Sequence, residues 1–285
     1  MNFFYQAKLK AQIALQRPSL VLPYLHYNFL KVLSEPAIVV HGRRLVGFRT
    51  FSDFHHYRST IASVREELFI KDFLSNGPHV CVDVGANIGQ FAALLASAEN
   101  ATIHCFEPHP YSFKMLKGNL SGGRFILNNV ALSDRECHSR FTDNDHSTHI
   151  NRLVTDAEGE SAGSGILLDV ECTTLDGYLS ERGVEQVRFL KIDTEGAEAL
   201  VLSGCREYLA RQRVDALLVE VCPEHLGRFG FVIKDLRDRL APYGYFPNGL
   251  DERGGTQRIE WSDLETVQLA NVIFTPAALS TPVKV

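Results

Sequence analysis

The sequence lacks an apolar run long enough to cross a bilayer, and it lacks an excess of basic residues. A membrane-spanning helix needs about 20 consecutive apolar residues, and no segment of this chain offers them. General nucleic-acid binders are usually basic, whereas the 285 residues carry a formal net charge of −5. These two absences argue against a membrane-spanning protein and against a nucleic-acid partner.

The chain also lacks cysteine pairs of the C-x-x-C type. Its six cysteines are scattered, and several lie in apolar segments: Cys81, Cys105, Cys137, Cys172, Cys205 and Cys222. This spacing disfavours a zinc site, and buried, unpaired thiols are typical of a reducing compartment. Residues 1–16 lack the apolar core and cleavage site of a signal peptide. We therefore expect reduced thiols in a cytoplasmic protein.

Residues 1–35 differ from the rest of the chain because they are both aromatic and basic. They carry four basic side chains and one acid, within a protein that is acidic overall. The pattern predicts helix, interrupted near Pro18 and Pro23. Such a helix packs on its own domain or on a partner subunit of a homo-oligomer; alternatively, it lies on a membrane surface. Residues 37–50 alternate and contain two glycines, which predicts a hairpin.

From residue 66 onward, strand and helix patterns alternate. Strands are predicted at 80–84, 102–106, 125–131, 187–192 and 215–221, and helices at 88–98, 110–119, 196–211 and 232–241. This alternation indicates a Rossmann-like α/β fold with a mostly parallel sheet and helices on both faces. Segments 243–246 and 271–275 have no helix pattern between them and predict an antiparallel pair. Residues 66–285 thus read as one domain behind a helical and hairpin extension, residues 1–65.

A glycine-rich turn follows the first predicted strand of this domain. Asp83, Gly85, Asn87 and Gly89 stand at alternate positions before a helix pattern. A strand, a glycine turn and a helix start are typical of a nucleotide-like cofactor site. The spacing is not the G-x-G-x-x-G of a dinucleotide site. An acid at the strand end suits a cofactor that has an ammonium group and a ribose but no phosphate, such as S-adenosylmethionine. The alternative is an ordinary tight turn.

The second predicted strand ends at Glu107, 18 residues after Gly89, and Pro108 follows. An acid at the end of the second strand is placed to accept hydrogen bonds from ribose hydroxyls. A solvated charge at the strand end is the simpler interpretation of Glu107 alone. Together with the preceding turn, the ribose role is favoured.

Four segments together resemble the FkbM family of methyltransferases. They are residues 83–89, 106–108, 129–134 and 190–198, in that order, within a similarity that runs from about residue 69 to 275. The resemblance implies a class I methyltransferase fold, with a seven-stranded sheet whose last strand is antiparallel. It implies S-adenosylmethionine as methyl donor, S-adenosylhomocysteine as product, and a hydroxyl of a small molecule, sugar or glycan as acceptor.

The same resemblance implies which residues bind the cofactor. They are Asp83, Gly85, Asn87, Gly89 and Glu107, with Asn129 and Ala131 near the adenine. Residues 1–65 and 139–165 match no motif, and they are expected to select the acceptor.

The candidate catalytic residues follow the later predicted strands, because chemistry in an open parallel sheet gathers at the carboxyl ends of the strands. They are Asp193, Glu195 and His225, with Glu220 nearby. Asp193 is expected to accept the proton of the hydroxyl. Thr194 is expected to cap a helix that holds Glu195 and Glu198 in its first turn. A divalent ion held by Asp193, Glu220 and His225 is the second version, and the metal-free version is favoured.

Two other functions stay open at this point. One is a Rossmann-type NAD(P)-dependent oxidoreductase, although the glycine turn lacks that spacing. The other is a non-catalytic module that keeps the fold for binding a partner. The presence of both Asp83 and Glu107 argues against this second alternative.

Overall fold

The computed structural model describes residues 21–59, 64–144, 150–155 and 166–276, together with residue 19. The predicted helix pattern before residue 19 and most of segment 155–165 lie outside the described residues. Helices α1 to α10 are Val21–Leu33, Phe51–Ser59, Val64–Phe73, Gln90–Leu95, Pro110–Asn119, Leu175–Glu181, Glu198–Ser203, Arg206–Ala210, Pro223–Arg228 and Ile233–Leu240. Two short 3₁₀ helices, Ala241–Tyr243 and Trp261–Thr266, lie near the end of the chain.

One large sheet forms the centre of the molecule, and within the described residues it has eight strands. In spatial order they are β12 (Thr256–Arg258), β11 (Tyr245–Leu250), β13 (Ala270–Pro276), β10 (Val214–Val221), β9 (Val187–Ile192), β3 (His79–Val84), β4 (Ala101–Phe106) and β5 (Phe125–Asn128). The strands from β10 to β5 are parallel. β13 runs antiparallel to both β10 and β11. This topology confirms the predicted fold, and β12 extends the expected seven strands by one short edge strand.

The central strands read as continuous apolar runs because both faces of the sheet are covered. Cys81 and Phe189 pack into the core on one face, whereas Val82 and Leu190 pack into the core on the other. Successive side chains of a strand point to opposite faces, so each buried strand contributes to both cores. Because β3, β4, β9 and β10 are parallel, their carboxyl ends meet at one edge of the sheet. This edge positions the site described below.

The predicted strand 125–131 is shorter in the structure. β5 ends at Asn128, and the chain then leaves the main sheet. β6 (Ala131–Leu132) joins a second, three-stranded sheet with β8 (Ile166–Thr173) and β7 (Cys137–Asp143). Asn128 stays with the main sheet, where its side-chain amide donates to the carbonyl of Cys105 at 3.0 Å. The segment 125–131, predicted as one strand, therefore contributes to strands of two different sheets.

The predicted helix 196–211 is two helices, α7 and α8, and it starts later than expected. Ala197 is the N-cap of α7, so Thr194 is not the cap and Glu195 lies outside the helix. The break follows Ser203. Gly204 lies there against a neighbouring loop, and a Cβ at this position would approach the Ser133 carbonyl oxygen to 2.0 Å.

The N-terminal extension packs directly on the large domain. The predicted hairpin is confirmed as β1 (Ile38–Val40) paired with β2 (Arg43–Leu45). Helix α1 begins at Val21, so Pro23 lies in its first turn, where proline is tolerated. Tyr24 packs edge-to-face on Phe51, with ring centroids 5.2 Å apart. These side chains share one hydrophobic core with the main sheet.

The outer face of α1 is apolar: Leu22, Leu25, Phe29 and Val32 are all exposed. Whether this face meets a partner subunit or a membrane surface stays a prediction. Among the described residues, no helix has both the length and the apolar character that crossing a bilayer would require. All six cysteines are free thiols, and five of them are buried, as predicted.

Candidate active site

A cavity of about 900 Å³ opens at the carboxyl ends of the central strands. Its walls come from the glycine turn after β3, from the ends of β4, β9 and β10, and from the second sheet. Polar and charged residues at the wall include Asn87, Gln90, Glu107, Lys191, Asp193, Glu195, Glu220, His225, Arg228 and Asn271. The volume lies within the range of small-molecule sites in proteins.

The glycine turn is held between β4 and β9. The backbone N–H groups of Gly85 and Ala86 both donate to the Phe106 carbonyl at 3.0 Å. Gly85 has φ +77, and a Cβ there would lie 1.9 Å from the Asp193 carbonyl oxygen. The position therefore requires glycine for its backbone conformation and for the close approach of the Asp193 backbone. The turn lines the cavity with the backbone and side chains of residues 85–87.

Gly89 has a different role from Gly85. It is the N-cap of α4 with φ 95, and it is not part of the cavity wall. A Cβ at Gly89 would lie 2.9 Å from side-chain atoms of Leu116 and Leu120. The glycine thus allows α4 to pack closely on α5. The sequence predicts Gly89 as a cofactor residue, whereas its contacts in the structure are with the core.

Glu107 faces the cavity from the end of β4. One carboxylate oxygen accepts from the Asn87 N–H and the other from the His109 N–H, both at 2.8 Å. The Asn87 residue adopts φ 48, which aims its N–H at the carboxylate. Burial raises the pKa of Glu107 to about 7, although these two N–H groups lower it. A nearly enclosed carboxyl group therefore sits beside the glycine turn, and its contact with a ribose stays a prediction.

Lys191 is the site residue that sequence reasoning missed. It lies near the end of β9 and is almost completely buried. Its ammonium nitrogen is 3.3 Å from Asp83, 3.2 Å from Asp193 and 3.2 Å from the Gly85 carbonyl oxygen. Burial lowers the pKa of Lys191, but the charges of Asp193 and Asp83 raise it by more than burial lowers it. The pKa is therefore raised overall, and the ammonium group is charged. A lysine between two buried apolar residues, Leu190 and Ile192, was the available signal.

Asp83 lies behind Lys191 and does not reach the cavity wall. Its side chain is completely buried, and burial raises its pKa while the Lys191 charge lowers it. The sequence places Asp83 beside the cofactor, whereas the structure makes it the counter-ion of Lys191. Asp193 is the more accessible partner, because its side chain is 35% exposed and lines the cavity.

The turn after β9 brings Glu195 to the cavity. Glu195 has φ 59, and it is followed by Gly196 with φ 119. Glu198, the first residue of α7, stabilises this turn: one of its oxygens accepts from the Thr194 N–H and hydroxyl, both at 2.9 Å, and from the Gly196 N–H at 3.1 Å. The two glutamates that were expected to share a helical turn therefore differ. Glu198 builds the loop, and Glu195 faces the site.

Glu195, Glu220 and His225 converge at one side of the cavity. His225 Nδ1 is 3.2 Å from a Glu195 oxygen and 3.4 Å from a Glu220 oxygen. Burial raises the pKa of Glu195 to about 9, and the Glu220 and Asp193 charges raise it as well. The pKa of Glu220 is also raised, by burial and by Asp193. The structure thus brings together His225 and Glu195, two of the three residues that the sequence proposed as catalytic.

Asn129 lies in the loop between the two sheets, and Ala131 is the first residue of β6. The Asn129 amide donates to the carbonyls of Glu107 and Pro108 at 2.8 and 2.9 Å, and this holds the loop after β4. Asn129 itself is not part of the wall, whereas Ala131 and its neighbours Val130 and Leu132 are. This stretch gives the cavity an apolar side.

Segments outside the matched motifs also line the cavity. His56 and Tyr57 come from the N-terminal extension, Glu66 lies on α3, and Asn151 and Arg152 lie next to β7. Gln90 ties the extension to the glycine turn, because its side chain donates to the Tyr57 carbonyl at 2.9 Å.

Comparison with known proteins assigns the chain to a family. The model of the methyltransferase FkbM domain matches residues 83–247, which is more than half of the chain. Residues 83–247 include the glycine turn, Glu107, Lys191 and the cluster at His225.

Individual relatives are identical to this chain at about a quarter to a third of the aligned residues. AMB antimetabolite synthetase AmbE of Pseudomonas aeruginosa is 27% identical over 72% of this chain and 11% of its own length. 2-O-methyltransferase NoeI of Sinorhizobium fredii is 26% identical over 68% of this chain and 85% of its own. 31-O-demethyl-FK506 methyltransferase FkbM of Streptomyces tacrolimicus is 30% identical over 45% of this chain and 60% of its own length.

The chain therefore spans about a tenth of AmbE but most of NoeI. Its motifs, its sheet topology and the family model agree with one another. This chain belongs to the FkbM methyltransferase domain family.

Proposed function

We propose that this protein is an S-adenosylmethionine-dependent O-methyltransferase that acts on a hydroxyl of a small molecule, sugar or glycan. The observation that carries the proposal is the single cavity that joins Glu107 and the glycine turn to Asp193. The residues expected to bind the cofactor and the residue expected to accept the hydroxyl proton thus line the same cavity. The printed names of two relatives, a 2-O-methyltransferase and a 31-O-demethyl-FK506 methyltransferase, support oxygen as the acceptor atom.

The residues at the cavity fit S-adenosylmethionine. A carboxylate has about four acceptor positions, so Glu107 can accept from ribose hydroxyls in addition to its two backbone N–H groups. Val130 and Leu132 offer apolar surface for a flat base.

S-adenosylmethionine, when bound, supplies a methyl group that is open to attack by a nucleophilic oxygen. The protein has two tasks in such a reaction: it holds the hydroxyl in line with the methyl group, and it removes the hydroxyl proton. Asp193 is placed for the second task because its carboxylate reaches the cavity. Lys191 holds that carboxylate in place at 3.2 Å.

The acceptor side of the cavity is built by the extension, by α3 and by the residues next to β7. His56, Tyr57 and Glu66 approach from one direction, and Asn151 and Arg152 from the other. Side chains of this kind donate and accept hydrogen bonds, which suits a hydroxylated acceptor. His56, Tyr57 and Glu66 lie outside the residues that the family model matches, whereas Asn151 and Arg152 lie within them. These side chains are the part of the site expected to set the choice of acceptor.

The test has a binding arm and a turnover arm. Calorimetry with S-adenosylhomocysteine should show binding to the purified protein, and a methyl-labelled donor should transfer label to hydroxylated acceptors. Asp193→Asn should keep cofactor binding and reduce turnover by about 10²-fold or more. Binding of NAD without binding of S-adenosylhomocysteine would instead support an oxidoreductase. A folded protein that binds neither ligand would support a non-catalytic module.

A further inference from the structure

Three metal-ligating side chains meet at the cavity wall opposite the glycine turn. Glu195 follows β9, Glu220 lies on β10, and His225 lies on α9. One donor atom from each residue can be chosen so that all three lie within 4.8 Å of one another. Donors that share one metal ion at about 2.0–2.3 Å are separated by about 3–4 Å, so this spacing is close to that of a ligand set.

The backbone around the cluster is shaped to bring these side chains together. Glu195 adopts the left-handed conformation, with φ 59, which is uncommon for a residue other than glycine. At Gly196 a Cβ would lie 2.3 Å from the His225 carbonyl oxygen. The turn after β9 is therefore pressed against α9, and this contact aims Glu195 at His225. Strained backbone of this kind is concentrated at functional sites.

Several carboxyl groups surround the cluster, and the neighbouring cationic side chains already have other partners. Glu195 and Glu220 face one imidazole, and Asp193 lies nearby. Lys191 is already engaged by Asp83 and Asp193. The guanidinium of Arg228 stands 3.8 Å from Glu195 and also contacts Glu224.

Two buried atoms in the cluster lie 3.4 Å apart without forming a well-directed hydrogen bond. Within the part of the chain that the structure describes, one Glu220 oxygen and His225 Nδ1 have no well-directed hydrogen bond. Both face the same small space.

We propose that Glu195, Glu220 and His225 bind one divalent metal ion, with Mn²⁺ as the best-fitting representative. Carboxylates suit Mg²⁺, Ca²⁺ and Mn²⁺, whereas imidazole suits transition metals, and Mn²⁺ accepts both donors. Three protein ligands leave coordination positions open toward the cavity. The structure replaces the ligand set expected from the sequence, because Asp193 is bound to Lys191 and Glu195 stands in its place.

The role of the ion rests on the proposed function. A cation at this wall would bind the acceptor hydroxyl and lower its pKa. The hydroxyl proton passes to the Asp193 carboxylate and then to solvent. The oxygen forms its bond to the methyl carbon as the carbon–sulfur bond breaks, and the electron pair of that bond remains on sulfur. The site therefore selects acceptors whose hydroxyl can reach the ion.

Metal binding can be measured without any turnover. The protein is stripped with chelator and titrated with Mn²⁺ alone, and the loss of the free-Mn²⁺ electron paramagnetic resonance signal is followed. One ion should bind per chain. Glu220→Gln and His225→Gln should each weaken binding about tenfold or more, because each removes a ligand. Glu224→Gln is the matched control: this glutamate lies one residue from His225, but its side chain is 84% exposed and should not matter.

Two outcomes would overturn the proposal: a folded wild-type protein that binds no Mn²⁺, or Mn²⁺ affinity that is unchanged in both ligand variants. Circular dichroism checks the fold of each variant. Calorimetry with S-adenosylhomocysteine on the metal-free protein separates the two proposals. If the cofactor product binds and Mn²⁺ does not, the metal site is wrong and the methyltransferase function stands. If neither binds, both proposals fail.

Discussion

At the scale of single residues, Lys191 organises the site. It neutralises Asp83, which has no exposed surface, and it fixes Asp193 at the cavity. A buried charge is tolerated only when it is paired and hydrogen-bonded. The same ammonium group also binds the Gly85 carbonyl oxygen, so β3, β9 and the glycine turn share one ionic centre.

Lys191→Met should destabilise the protein by about 3–5 kcal/mol, because it leaves the Asp83 carboxylate buried without a partner. Urea denaturation at neutral pH measures the change. Asp83→Asn in the same chain removes that unpaired charge and should recover part of the loss. If the double variant were no more stable than Lys191→Met alone, the counter-ion role of Asp83 would be wrong.

The pKa of Glu107 also has a consequence for stability. The folded protein keeps this carboxyl protonated up to about pH 7, whereas the unfolded chain ionises it near 4.5. Between these values the unfolded state binds fewer protons, so the contribution of Glu107 to stability is lost as the pH rises. The pKa reflects burial first, then the N–H groups of His109 and Asn87, and then the charges of Lys191 and Asp83.

Glu107→Gln removes this titration. Relative to wild type, the variant should gain about 2–3 kcal/mol of unfolding free energy between pH 4.5 and pH 7.5. Urea denaturation at these two pH values provides the comparison. A constant difference between the two proteins across this range would contradict a raised pKa at Glu107.

At the scale of elements, glycine allows close approach where two helices meet a loop. Gly204 lies between α7 and α8, and a Cβ there would lie 2.0 Å from the carbonyl oxygen of Ser133, in the loop after β6. Its φ of −81 is open to any residue, so only the lack of space requires glycine. The main sheet and the small sheet are thereby packed together next to the site.

Gly204→Ala should cost about 1–3 kcal/mol, since the methyl group would push against backbone that cannot move freely. Gly118→Ala is the matched control, because this glycine lies in a helix with no atom within 4 Å of the added Cβ. It should be neutral or stabilising by about 0.5–1 kcal/mol. Thermal denaturation of the two variants gives the comparison, and equal effects would show that Gly204 is not confined.

At the scale of the whole molecule, the N-terminal extension belongs to the same packed body as the sheet. Asn119, in the last turn of α5, donates to the Val46 carbonyl at 3.0 Å and to the Ile88 carbonyl at 2.9 Å, and it accepts from the Val46 N–H at 2.9 Å. One amide therefore connects the hairpin, α5 and the glycine turn. Because His56 and Tyr57 line the cavity, the extension is part of the site as well.

We expect the extension and the sheet to unfold in one cooperative transition. Trp261 fluorescence reports on the far end of the sheet, and far-UV circular dichroism reports on the helices; the two curves should coincide. Asn119→Ala should shift both curves together and cost about 1–3 kcal/mol, because it leaves buried backbone groups at Val46 and Ile88 unsatisfied. Separate transitions would show that the extension is an independent unit.

The sequence by itself determined the fold class, most element positions and the family. Apolar strand runs, the spacing of Gly85 and Glu107, and the motif at residues 190–198 are local signals. Predictions from these signals agree with the structure because each signal depends on neighbours along the chain. The FkbM resemblance is confirmed on that basis.

Only the tertiary structure decided which of the predicted residues share the cavity. Asp83 and Gly89 carry the same local signal as Gly85, yet one pairs with Lys191 and the other packs against Leu116. The sequence pattern places Glu195 in a helix. In the structure Gly196 packs closely against α9, and Glu195 contacts His225 instead. Such contacts join segments far apart in the chain, and the packing of helices on the sheet sets them rather than any local pattern.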